Sequence, residues 1–121
     1  MAKNILVIDD DGMVTKSLCR LLEKSGFSTE TSENGVDAIE LIKNTHIDMI
    51  IADIRLPGIN GVETVKKIKE IIKGKHKHDV PVIFITGYSD AQINAEAQTM
   101  GDLILKPFDN QKILEKINSY I

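Results

Sequence analysis

Short apolar runs alternate with amphipathic segments from one end of the chain to the other, and this alternation restricts the fold more than any other feature. The runs at 5–8, 47–52, 80–85 and 103–105, the second interrupted by Asp48, have the length and β-branched content of buried strands. Between them Val14, Leu18, Leu21 and Leu22 recur at helical spacing. So do Ile39 with Ile42, Val62 with Val65 and Ile68, and Ile113 with Leu114 and Ile117. A chain that writes strand and helix in turn buries its strands on both faces, with helices above and below one parallel sheet.

Local punctuation agrees with this pattern. Asp11 is placed to cap the first helix, Gly26 to end it and Asp109 to cap the last. A weaker strand fits 27–31, where Ser28, Thr29, Glu30 and Thr31 are too polar for burial on both faces. It is expected at a sheet edge, whereas the strands starting at Ile5, Ile47 and Val80 belong inside. The strand order is then 2-1-3-4-5, a flavodoxin-like doubly wound (βα)5 α/β arrangement around a five-stranded parallel sheet. At 121 residues, with no visible linker or repeat, the chain suits one domain, 1–121.

Composition excludes several classes of function. No apolar stretch reaches the roughly 20 residues of a membrane span. Residues 5–8 run straight into aspartates rather than forming a secretory signal, so a cytoplasmic protein without membrane contact is expected. Cys19 is the only cysteine, which rules out an internal disulfide and a cysteine-built zinc site; it reads as a buried structural thiol. A net charge of -3 and a pI of about 5.6 give no general basic face, so direct nucleic-acid binding is not expected. The segment 73–79, Lys-Gly-Lys-His-Lys-His-Asp, reads as a basic solvated loop, and its His76 and His78 lack a third ligand for a metal site.

The chemistry-bearing residues fall where the apolar runs stop. Asp9 and Asp10 follow the first strand, Asp53 the third, Thr86 the fourth and Lys106 the fifth. In a parallel sheet these ends share one edge, so residues far apart in sequence meet in one cleft. Three carboxylates brought together repel one another and call for a cation. An all-oxygen donor set favours Mg²⁺ over zinc. Lys106 adds a movable positive charge and Thr86 a hydroxyl, both suited to the oxygens of a phosphoryl group. Taken singly, each has an ordinary reading: Asp10 and Asp11 as helix caps, Thr86 as a turn residue, Lys106 as a surface charge.

Together these stretches resemble the receiver domain of bacterial response regulators. They are Ile5-Leu6-Val7-Ile8-Asp9-Asp10-Asp11, the run from Ile51-Ala52-Asp53 to Asn60-Gly61, Val82-Ile83-Phe84-Ile85-Thr86-Gly87, and Lys106-Pro107-Phe108. The resemblance implies that a sensor histidine kinase or phosphotransfer protein supplies a phosphoryl group, which Asp53 takes as an acyl phosphate. It implies Mg²⁺ on Asp10, Asp53 and the backbone carbonyl of Arg55, with Asp9 helping through water, while Thr86 and Lys106 move to hold the phosphoryl oxygens. It also implies a cis Lys106–Pro107 bond aiming the lysine into the cleft. The output face would comprise the fourth helix, fifth strand and fifth helix, here 91–100, 103–105 and 109–120, offered to an output domain, a partner protein or a second copy. Such a protein is a switch rather than an enzyme with turnover, although it promotes its own phosphotransfer and dephosphorylation.

Two departures from the family pattern and two flanking residues tune this expectation. Leu103 stands where the family commonly has Tyr or Phe, and Thr99-Met100-Gly101-Asp102 replaces a usual Gly-Ala pair. Arg55, two residues after Asp53, and Tyr88, two after Thr86, are large enough to shade the acyl phosphate from water. Two other functions fit parts of the sequence. Asp9-Asp10-Asp11 also matches the Asp-x-Asp nucleophile of haloacid-dehalogenase-type phosphatases, which would act through Asp9 and leave Asp53 idle. A receiver that docks its partner without phosphorylation would leave the acidic cluster without a task.

Overall fold

The computed structural model describes residues 2–76, 79–87 and 91–121. Strands and helices alternate throughout: β1 (Asn4–Ile8), α1 (Gly12–Lys24), β2 (Ser28–Ser32), α2 (Gly35–Ile42), β3 (Met49–Asp53), α3 (Gly61–His76), β4 (Val82–Thr86), α4 (Ala91–Gln98), β5 (Asp102–Leu105) and α5 (Asn110–Tyr120). The strands pair in parallel in the order β2-β1-β3-β4-β5. This is the flavodoxin-like doubly wound arrangement expected from the sequence.

Strand parity builds the two halves of the core. Leu6, Ile8, Ile50, Ala52, Val82 and Phe84 cluster with Ala38, Ile42, Val65, Ile68 and Ala97 of α2, α3 and α4. The alternate residues Ile5, Val7, Met49, Ile51, Ile83 and Ile85 cluster with Leu18 and Leu22 of α1 and Ile113 and Ile117 of α5. Each fully buried aliphatic or aromatic side chain contributes roughly 1.5–3 kcal/mol relative to exposure, so the central strands anchor the sheet. The polar β2 lies at an edge, as expected, and starts one residue later than the sequence reading placed it.

The helices begin with side-chain caps at the carboxyl edge of the sheet. Asp11 accepts from Met13 N, Asn34 from Asp37 N and Asp109 from Gln111 N. Gly26, at φ 94°, closes α1 in the left-handed region open to glycine. Two expectations change. α3 runs to His76, so the first part of the segment read as a loop is helical. Gly74 costs the helix about 1 kcal/mol relative to Ala, which the buried anchors Val62, Val65, Ile68 and Ile72 outweigh. His78 lies outside the described residues. Cys19 is half-buried rather than a core thiol, although burial still pushes its pKa up. Among the described residues no helix is long and apolar enough to cross a membrane.

At the opposite edge of the sheet, Asp48 ties the start of β1 to the approach of β3. Its Oδ2 accepts from Asn4 N at 2.8 Å, and its Oδ1 lies 2.9 Å from His46 Nε2. Burial pushes the Asp48 carboxyl up, but these hydrogen bonds outweigh it and hold the group below its ordinary 3.8. A depressed carboxylate stabilises the fold above its unfolded pKa and loses that contribution as pH falls through the folded value. Asp48→Ala is therefore expected to lower the unfolding free energy at neutral pH by about 1–3 kcal/mol. Denaturant unfolding should show the gap between wild type and variant closing below roughly pH 4.

Candidate functional site

The carboxyl edge of the sheet collects the polar residues singled out by the sequence. Asp9 follows β1, Asp53 and Thr86 are the last residues of β3 and β4, and Lys106 follows β5. Backbone pairing fixes these ends: Asp9 N donates to Ser32 O at 3.1 Å, Ile54 N to Ile85 O at 3.1 Å and Lys106 N to Thr86 O at 2.8 Å. One carboxylate oxygen each of Asp9, Asp10 and Asp53 lies within 4.8 Å of the others. Asp9 is fully buried, Asp53 is 6% exposed, and Asp10 faces solvent.

Lys106 supplies the counter-charge. Its Nζ sits 2.8 Å from Asp9 Oδ2 and 2.9 Å from Asp53 Oδ2. The remaining oxygens are held by the backbone: Asp11 N donates to Asp9 Oδ1 at 2.9 Å, and Arg55 N to Asp53 Oδ1 at 3.1 Å. Burial drives the Asp9 carboxyl above 3.8, with the Asp53 charge adding to it, while the bonds from Lys106 and Asp11 oppose the rise. Burial works against the Lys106 ammonium, yet its bonds to Asp9 and Asp53 prevail and raise its pKa above 10.5. The Lys106–Pro107 peptide is cis, as the resemblance implied.

The donor set suits the expected metal. Among the described residues three carboxylates converge with no imidazole or thiolate beside them, and exposed Asp10 leaves one side open for the waters that Mg²⁺ retains. The arrangement pairs a buried, backbone-oriented carboxylate with a cation on one side and room for a second on the other. That is the equipment for attack by a carboxylate on a phosphoryl group.

The other expected residues are placed as follows. Thr86 is fully buried, and with Arg55, Ile54, Asn60, Ile93 and Asn94 it lines a recess of about 300 Å³. Leu103 is half-buried, in register with Phe84, and packs against the core beneath α4. Tyr88 lies outside the described residues.

Two contributors escaped the sequence reading. A Cβ at Gly61 would sit 2.1 Å from the Asp53 carbonyl oxygen, so this glycine lets the start of α3 close against the backbone of Asp53. Thr15 reaches the carbonyls of Asp9 and Asp11. Its spacing of four from Asp11 was the available signal.

Comparison with known proteins agrees with this geometry. The family model of the response regulator receiver domain matches residues 5–118. The chain is 33% identical over 107 residues to regulatory protein AtoC of Escherichia coli, covering 87% of itself but 22% of that protein. It is 28% identical to sporulation initiation phosphotransferase F of Bacillus subtilis, covering all of itself and 95% of that protein. A chain in the CheX–CheY–BeF3–Mg²⁺ complex of Borrelia burgdorferi superposes with a TM-score of 0.84 at 28% identity, over 97% of this chain and 87% of that one. The chain belongs to the response regulator receiver domain family of two-component signalling.

Proposed function

We propose that this domain accepts a phosphoryl group on Asp53 in a Mg²⁺-dependent reaction and thereby switches its α4–β5–α5 face. The convergence of the Asp9, Asp10 and Asp53 carboxylates, with the Lys106 ammonium seated on Asp9 and Asp53, carries this reading. An Asp53 oxygen attacks the phosphorus of a phosphohistidine in line. The new P–O bond forms as the P–N bond breaks, and the imidazole leaves with the electron pair and takes a proton from solvent. Mg²⁺ held by Asp10, Asp53 and the Arg55 carbonyl, with Asp9 behind a water, would supply positive charge to the transferred oxygens. Lys106, no longer facing a free Asp53 carboxylate, then pairs with one phosphoryl oxygen, and the Thr86 hydroxyl donates to another. The product adds charge and acceptor oxygens that bias two packings of the same fold.

The donor is a sensor histidine kinase or phosphotransfer protein. Met13, 82% exposed, lines with Val14, Pro107 and Phe108 a recess of about 440 Å³ that also includes Lys106, an apolar seat for a partner helix beside the acceptor. The output face carries a groove of about 770 Å³ lined by Leu103, Leu105, Lys112 and Lys116, with Leu105 60% exposed. Tyr120 donates to Asp102 to tie α5 to β5, and the Lys66–Glu96 pair ties α3 to α4. An output domain, a partner protein or a second copy docks on this face in the cytoplasm. Large residues two positions after Asp53 and two after Thr86 are suited to shading the acyl phosphate, so Arg55→Ala and Tyr88→Ala should each speed its hydrolysis several-fold in a phosphate-release assay. Unchanged rates would remove that role.

Intact-mass spectrometry after incubation with acetyl phosphate and MgCl2 tests the reading. A single phosphoryl adduct, absent without Mg²⁺ and absent in Asp53→Asn, is expected. Steady turnover abolished by Asp9→Asn would instead favour the phosphatase alternative, against which family membership argues. An adduct that leaves partner binding unchanged would favour phosphorylation-independent docking.

A further inference from the structure

We infer that Thr15 is a positioning residue for Asp10, clamping the backbone on both sides of that metal ligand; the inference rests on the proposed Mg²⁺ site. Asp10 is exposed, so side-chain packing does little to hold its carboxylate beside those of Asp9 and Asp53 and the backbone must. Asp11, Gly12 and Met13, which follow it, are exposed as well.

Thr15 Oγ1 lies 3.3 Å from Asp9 O and 3.0 Å from Asp11 O, the carbonyls of the residues immediately before and after Asp10. One hydroxyl proton shared between two carbonyls is a three-centre bond, common at helix termini. A hydroxyl bonding back to the carbonyl four residues earlier is ordinary within a helix and accounts for the Asp11 contact alone. The reach to Asp9, which lies before the helix begins, goes beyond that habit and couples α1 to the end of β1. Further bonds complete the clamp: Thr15 N donates to Asp11 O at 3.1 Å and Asp11 N to Asp9 Oδ1 at 2.9 Å. Groups that hold metal ligands in place influence affinity without touching the ion.

Thr15→Val keeps the shape and loses the hydroxyl, whereas Thr15→Ser keeps the hydroxyl. Because the chain has no Trp, amide NMR shifts around Asp10, followed during MgCl2 titration, give the dissociation constant. Thr15→Val is expected to weaken Mg²⁺ binding about 3–10-fold, as loss of one neutral hydrogen bond allows. Thr15→Ser should stay within about twofold of wild type, and metal-free melting of both variants should stay within roughly 5 °C of wild type. Equal affinity of Thr15→Val and wild type would overturn the clamp while leaving the site intact. So would equal weakening of both variants, since the hydroxyl would then not be the cause. Absence of saturable shifts in wild type would overturn the Mg²⁺ site itself, and the clamp with it.

Discussion

Replacing Lys106 by alanine is expected to cost the metal-free protein about 2–4 kcal/mol of stability. The substitution should also make the stabilisation by Mg²⁺ markedly larger than in wild type. The ammonium sits between Asp9 and Asp53, whose side chains are 0% and 9% exposed, so its loss leaves two buried carboxylates facing each other without a counter-charge. Removing one partner of a buried pair costs more than the pair itself contributes, because the remaining charge keeps its desolvation penalty. Protonation of Asp9 limits that loss. Its folded pKa is already raised above 3.8, chiefly by burial, so any stability from its protonated form is present below the unfolded pKa and lost as pH rises through the folded one. The deficit of Lys106→Ala should accordingly be greatest at neutral pH and shrink on acidification. Mg²⁺ at the proposed site would restore positive charge to the cluster and, by binding the folded state alone, would raise the melting temperature by mass action. Thermal melts at several MgCl2 concentrations check both parts. A variant as stable as wild type without metal would show that the Lys106 contacts contribute nothing net.

Gly61→Ala is expected to destabilise the fold by about 1–3 kcal/mol, a fall in melting temperature of roughly 4–12 °C, and to slow phosphorylation. The added Cβ would lie 2.1 Å from the Asp53 carbonyl oxygen, 2.9 Å from its carbon and 3.0 Å from Ile54 Cα. All three obstacles are backbone, so α3 or the end of β3 must move. The amide of Gly61 donates to Ile54 O at 2.8 Å, which pulls the two segments together at the point where the methyl would push them apart. Gly74→Ala is the contrasting substitution. Among the described residues nothing lies within 4 Å of its added Cβ, and within a helix it should gain about 0.5–1 kcal/mol. Melting curves of the two variants, with the rate of adduct formation from acetyl phosphate for Gly61→Ala, separate a steric role for Gly61 from a general aversion to alanine.

The sequence was most informative where one periodicity ruled. β1, β3 and β4 are buried along almost their whole length, which writes them as unbroken apolar runs. The polar β2 identified itself as an edge by the same logic. The acidic cluster was legible because a parallel sheet brings strand ends to one edge. Less legible were features decided by three-dimensional approach. Lysine and glycine in 73–76 resemble a loop in composition, but α3 carries on through them once its buried face is anchored. The contact of Gly61 with Asp53, and the seat of Lys106 on two carboxylates, depend on how close elements come and have no local signature. Thr15 differs again: its spacing from Asp11 was visible, but its reach to Asp9, six residues back, crosses from α1 to the end of β1 and has no local pattern.

Asp53 is the residue on which the functional reading turns, and the direct measurement is to find where the phosphoryl group goes. Protein treated with acetyl phosphate and MgCl2 is reduced with borohydride, which converts an aspartyl phosphate to homoserine, and its peptides are sequenced by mass spectrometry. Homoserine at position 53, with aspartate retained at positions 9 and 10, is the predicted result. Homoserine at position 9, or at none of the three, would contradict it.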